Sequence, residues 1–291
     1  MQLWHHLSEQ ISLHTQQAFI INSHTAMGGG CINDAYRVSS GNAHFFVKLN
    51  NIEHGDMFET EAQSLQEMSD KGTVRVPGPV CSGQLDSQAY LVLEYLALTG
   101  RPDSAKLGQQ MAAMHRVTSE QYGWVRDNTI GSTPQHNKLT DNWVDFWREQ
   151  RLLPQLKLAE TKGYAQALSP VTDRLLADFD CLFGNDSPQA SMLHGDLWGG
   201  NVAALADATP VIFDPALYYG DREADIAMTY LFGGFDTHFY DAYNEAWPLD
   251  EGFKIRKTFY NLYHILNHLN LFGSGYLEQA ISMTEQVLAE I

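Results

Sequence analysis

Two carboxylates and an amide stand out by their spacing. Asp196 lies in MLHGDLWGGN, Asn201 follows five residues on, and Asp214 closes the apolar run of VIFDPA. Phosphoryl transfer needs a carboxylate that accepts or orients the proton of the attacking hydroxyl. It also needs oxygen ligands for a Mg²⁺ ion on the nucleotide phosphates. Asp196 suits the first role; Asn201 and Asp214 suit the second. Each segment alone reads as well as a turn, since Asp, Asn and Gly are common there. Both together, in order and each beside an apolar strand, point to chemistry.

The layout is that of a protein-kinase catalytic loop followed by a metal-binding Asp. His-Gly-Asp stands for His-Arg-Asp, and Asp-Pro-Ala for Asp-Phe-Gly. A nucleotide clamp should then lie upstream. Gly28, Gly29 and Gly30 separate FIINSHTAM from AYRV, where a glycine loop would let main-chain amides approach phosphates. A glycine run is also an ordinary flexible turn. Lys48 ends HFFVK, where a lysine could reach the α- and β-phosphates, though a lysine at a strand end is usually solvated surface. Glu61 could hold it, with Glu59 as the rival; Glu61 is preferred because it adjoins Ala62 on the apolar side. Glu94 and Leu96, flanking Tyr95 at a strand end, could offer main-chain groups to an adenine. The ordered set carries more weight than any member.

These residues need elements to position them. AYRVSSGNAHFFVKL reads as a hairpin turning at Ser39-Ser40-Gly41-Asn42. Phe58, Ala62, Leu65 and Met68 fall at helical spacing, which predicts a helix over 57–70. TVRVPGPV and AYLVLEYL read as further strands. After Gly100 helices dominate: one opened by Pro102-Asp103-Ser104, one capped by Asp141 and carrying Trp143 and Trp147, and others over 221–232, 236–247 and 251–272, with a last one after Gly275. Short strands at 192–193, 202–203 and 211–213 interrupt them. The fold class is α+β in two lobes. Residues 1–97 form a small antiparallel sheet with one helix, and 98–291 a larger, mostly helical lobe with the ligand expected in a cleft.

Composition narrows the partners. A formal charge of −17 argues against nucleic acid or an anionic membrane as partner. The start, MQLWHHLSEQISLHTQQ, lacks the pattern of a signal peptide, and no apolar run approaches the ~20 residues of a membrane helix. Cys31, Cys81 and Cys181 form no CxxC pair, and reduced thiols in a cytoplasmic protein are expected for Cys81 and Cys181. No HExxH appears among the histidines, which speaks against a zinc site of that kind.

HGDLWGGN, FDPA and YGDREADIAM, with GGGCIND, FVKL, FETEAQSL, MAAMHR, YGWVRDNTIGSTPQHN and WVDFWREQRL, resemble the fructosamine kinase (ketosamine-3-kinase) family across almost the whole chain. That family has the protein-kinase-like fold of aminoglycoside phosphotransferases. The resemblance implies ATP- and Mg²⁺-dependent phosphorylation of the sugar O3 of a ketosamine, small or protein-bound, which makes the adduct labile and frees the amine. It implies that Trp198 stacks on the sugar; the alternative is a buried aromatic of the helical lobe, and the neighbouring glycines, which leave little around it to pack, favour the contact. Asp127, Asn128 and Gln135 would shape the sugar pocket or brace the lobe. His194 would hold the loop. Asp225 would accept main-chain N–H groups of that loop or sit exposed at a helix start, with Asp221 as the helix cap. His115 reads as a satisfied buried histidine. Some relatives carry a redox-sensitive cysteine at the position of Cys31, which could pair two subunits; monomer and homodimer both stay open. A kinase for an aminoglycoside or choline-like acceptor, or a nucleotide-binding pseudokinase or redox sensor, are the alternatives.

Overall fold

The computed structural model describes residues 2–28, 32–184 and 187–291. The chain divides into two compact units. Met1–Asp103 with Val202–Pro215 form the first, and Ser104–Asn201 with Ala216–Ile291 the second.

The first unit is built on a five-stranded antiparallel sheet: β1 (Ser23–Met27), β2 (Asp34–Ser40), β3 (Ala43–Asn51), β4 (Pro79–Leu85) and β5 (Gln88–Glu94), in the order β1-β2-β3-β5-β4. The expected hairpin is β2–β3. Its Ser40↔Ala43 pair leaves a two-residue turn, and Gly41 supplies φ +59° there. TVRV is not a strand. Arg75 makes only a bridge to Val211, and the ladder begins at Pro79.

Beside the expected helix, α2 (Gly55–Lys71), the unit carries α1 (Gln2–Thr15). Leu7 and Ile11 of α1 pack with Phe19, Val38, Val47, Leu49 and Val92 into one core. α2 buries Phe58, Glu61, Leu65 and Met68 along one stripe and stops at Gly72, whose left-handed backbone donates to Met68 and Ser69 carbonyls. The segment 202–215 joins this unit through a hairpin of Val202–Ala204 and Pro210–Ile212. Gly100 donates to Ala204 O, Asp103 to Ala208 O, and Ile212 to Arg75 O. That return strand brings Asp214 to the sheet.

The second unit is mainly helical. α3 (Ser104–His115) lies against the helix Thr237–Ala246. Trp143–Trp147 continues through a π-helical turn at Arg148–Leu152 into Leu153–Thr161. Asn142, not Asp141, caps it by accepting from Asp145 N; Asp141 instead accepts from Gln121. Asn142 is the residue whose extended backbone stands directly before the first helical turn. The helix expected over 221–232 is only Glu223–Met228, while Phe253–Phe272 and Leu277–Leu288 run close to their expected spans. Trp143, Phe146, Trp147, Phe179, Phe259 and Tyr260 fill the core.

Candidate active site

In the first unit Lys48 sits on β3 with its side chain buried. Its ammonium donates to Glu61 Oε1 at 2.7 Å and Asp214 Oδ1 at 2.6 Å. Glu61 reaches it because it shares the buried stripe of α2 with Phe58 and Leu65, whereas Glu59 lies on the exposed side. Burial alone would pull the Lys48 pKa down. The Asp214 and Glu61 carboxylates outweigh it and hold the lysine charged. Asp214 adopts φ +58°, unusual for a residue with a side chain, and stays half-exposed.

The glycine loop is described only as far as Gly28, which is exposed and has open space around its Cα. The readings of Gly29 and Gly30 as phosphate-binding and of Cys31 as redox-active lie outside the described residues. At the end of β5, Glu94 donates its N–H to Gly78 O at 2.8 Å, so that amide is taken. Its carboxylate holds Arg75 and accepts from Gly78 N. Leu96 lies two residues past the last ladder pair and is half-buried.

In the second unit the segment 194–201 leaves the strand Ser191–Leu193. Gly195 has φ +81°, and a Cβ there would stand 2.0 Å from Ala216 O, so only glycine fits. Asp225 accepts from His194 N at 2.7 Å and Gly195 N at 2.8 Å. It also meets His115 Nε2 at 3.2 Å. An ionised Asp225 makes that nitrogen the donor, and His115 Nδ1 then accepts from Tyr243 OH at 2.8 Å. Burial would raise the Asp225 pKa. The hydrogen bond from His115, with the neighbouring His194 and the Gly195 N–H, reverses this and holds it below the usual carboxylate range.

This buried acceptor fixes the main chain ahead of Asp196. Asn201 fixes it behind, donating from Nδ2 to Asp196 O at 2.8 Å and Asp196 Oδ2 at 3.0 Å. With its nitrogen so engaged, the oxygen is the atom Asn201 can offer to a cation. Trp198 lies over Gly200, where a Cβ would stand 2.3 Å from the indole.

Asn128 and Gln135 form a buried network instead of an open pocket wall. Asn128 donates to Leu217 O, Gln135 donates to Asn128 Oδ1 and Ala216 O, and Tyr263 OH donates to Gln135. Gln135 is 1% exposed, which leaves it almost nothing to present to a ligand. Asp127 is the exposed member; it accepts from Asn137 N and pairs with His136. Arg151 was not singled out in the sequence. It is fully buried, donates to Asn137 Oδ1 and His136 O, and lies over the Tyr218 ring at 4.0 Å. Its signal was the four-residue stripe Trp143, Trp147, Arg151, Gln155.

A family model described as fructosamine kinase matches residues 3–290. The chain belongs to the fructosamine kinase family. A probable ketoamine kinase of Synechocystis is 46% identical, over 98% of this chain and 97% of the relative. The chloroplastic protein-ribulosamine 3-kinase of Arabidopsis thaliana is 42% identical, over 90% of this chain and 82% of the relative. Among solved structures, a Haemophilus somnus chain described as a fructosamine-3-kinase superposes with a TM-score of 0.89 at 28% identity, covering 97% of this chain and 96% of that one. An aminoglycoside phosphotransferase solved with ADP and hygromycin B gives 0.62 at 14% identity, covering 99% and 97%. That likeness shows a shared kinase-like fold.

Proposed function

We propose that the protein is an ATP-dependent ketosamine kinase that phosphorylates the sugar O3 of fructosamine or ribulosamine adducts. The observation that carries this reading is the Lys48–Glu61–Asp214 ion set, complete in a chain of this family.

Asp196 is assigned as the base. Its carboxylate orients the acceptor hydroxyl and takes its proton as the oxygen attacks the γ-phosphorus. Lys48 offsets phosphate charge and Glu61 keeps it aimed. Asn201 and Asp214 are the assigned metal ligands. Among the described residues no group of three or more His, Cys, Asp or Glu could hold a metal. This fits Mg²⁺, which binds through one or two protein oxygens together with substrate phosphates. When bound it would neutralise charge developing on the phosphates.

Leu96 is assigned to the adenine with its main-chain groups, Glu94 contributing only what its engaged N–H leaves, and Gly28 to the phosphates. Trp198 and the exposed Asp127 are assigned to the acceptor. Asn128 and Gln135 are assigned to bracing, as are His194 and Asp225. We assign 1–97 to the nucleotide, and 98–291 to catalysis, metal and acceptor. No described helix is long and apolar enough to cross a membrane. We place the enzyme in the cytoplasm, where Cys81 and Cys181, free thiols in the structure, stay reduced.

The test is ADP formation with purified protein and Mg·ATP over a ribulosamine, a fructosamine and kanamycin. Turnover of a ketosamine is the expected result. Turnover of kanamycin alone would shift the reading to an antibiotic kinase, and turnover of none to a pseudokinase.

A further inference from the structure

Beyond Trp198 the second unit presents an aromatic surface. The Phe232 ring lies edge-on to Trp198, with centroids 5.8 Å apart, and 4.8 Å from the ring of His268. His268 in turn meets Phe272 at 5.3 Å and Tyr276 at 5.2 Å. Phe232 is 43% exposed and Phe272 59%. A folded chain seldom leaves such rings together in water without a use for them.

The backbone supplies a second, separate observation. Phe232 has φ +54°, and Gly233 and Gly234 follow at +108° and +72°. The glycines adopt that region freely, but a phenylalanine there is strained. Glycine at 232 would relieve the strain, yet the chain holds a large ring there against Trp198. Strain kept in place by its surroundings clusters at ligand sites.

The chemistry of the acceptor suggests what covers the surface. A ketosamine joins its sugar to a secondary amine, protonated near neutral pH, that carries a carbon substituent. Aromatic faces attract such a cation and pack against the carbon beside it. The protein's charge of −17 favours a cation, and burial lowers the His268 pKa, so that ring adds no opposing charge. Trp198 stands two residues from Asp196, which places the surface next to the assigned base.

We propose that Trp198, Phe232, His268, Phe272 and Tyr276 form the subsite for the amine side of the acceptor, and that Phe232 sets a preference for large or aromatic amine substituents. This rests on the ketosamine kinase reading.

The test compares kcat/KM for one ribulosamine built on benzylamine with the same sugar on methylamine. Wild type should prefer the benzyl adduct. In Phe232→Gly the benzyl-to-methyl ratio should fall about tenfold, through KM of the benzyl adduct. Phe232→Leu, which keeps apolar bulk without a π-face, should fall between. An unchanged ratio in both variants, or a wild type without preference, overturns the subsite while leaving the ketosamine kinase intact. If wild type turns over neither adduct, the parent reading fails and takes the subsite with it.

Discussion

Asp196 is held from both sides before any substrate arrives. Asp225 grips the main chain of His194 and Gly195 ahead of it, and Asn201 clips it from behind. Positioning and proton acceptance can therefore be separated by mutation. Asp196→Ala should lower kcat by about 10²–10⁴ and leave nucleotide affinity intact, because Lys48 and Asp214 lie in the other unit. Coupled ADP assay and calorimetric titration with ATP would check both; unchanged kcat would remove Asp196 from the chemistry. Asp225→Asn should act through structure. An amide cannot serve as acceptor for both N–H groups and His115 at once, so a buried donor is left unsatisfied. The expected cost is about 2 kcal/mol in urea unfolding, together with a fall in kcat. Full activity at reduced stability would show that the loop keeps its shape without that carboxylate.

Elements carry these residues, and their contacts set how far the site can shift. α3 ends in His115, the partner of Asp225, and approaches the helix Thr237–Ala246 at Gly108. A Cβ on Gly108 would stand 2.3 Å from Phe239 O and 3.0 Å from Tyr243 N, main-chain atoms that cannot rotate away. Gly108→Ala should therefore push the helices apart, costing about 3 kcal/mol and displacing His115. Thermal unfolding and kcat measured on the same sample would test it, and wild-type values of both would show that the pair slides to accommodate a methyl. The sequence revealed elements of this kind unevenly. α2 and the β2–β3 hairpin were legible because one face of each is buried, which leaves a period in the residues. The same stripe singled out Glu61 over Glu59. α1 carries the same four-residue stripe in Leu3, Leu7 and Ile11, set among histidines, glutamines and serines, and it went unread. Glu223–Met228 is buried on every residue, so no period marked where it stops, short of the strained backbone at Phe232. The bracing by Asn128 and Gln135 was hidden for another reason. Their carbonyl partners, Leu217 and Ala216, are 89 and 81 residues away in sequence.

Across the whole molecule, stability should depend on pH through a group remote from the nucleotide. His264 sits within the helix Phe253–Phe272, 4% exposed, with its ring 5.1 Å from that of Tyr263. Burial, and secondarily the neighbouring His268, push its pKa down to about 3, against the pull of Asp225. The fold thus holds His264 neutral, while the unfolded chain binds a proton near pH 6.5. Above pH 6.5 neither state is protonated there and the residue adds no pH dependence. As pH falls below 6.5 the unfolded state takes up a proton that the fold refuses, so stability is lost until about pH 3. At pH 5 the loss comes to about 2 kcal/mol. Carboxylate titration and the easing of a −17 charge act over the same range, but on wild type and variant alike. The difference between them isolates His264. Urea unfolding at pH 7.5 and pH 5.0 should show wild type losing about 2 kcal/mol more than His264→Gln. Equal losses in the two proteins would mean that His264 gains its proton without disturbing the core, and that acid sensitivity belongs to other groups.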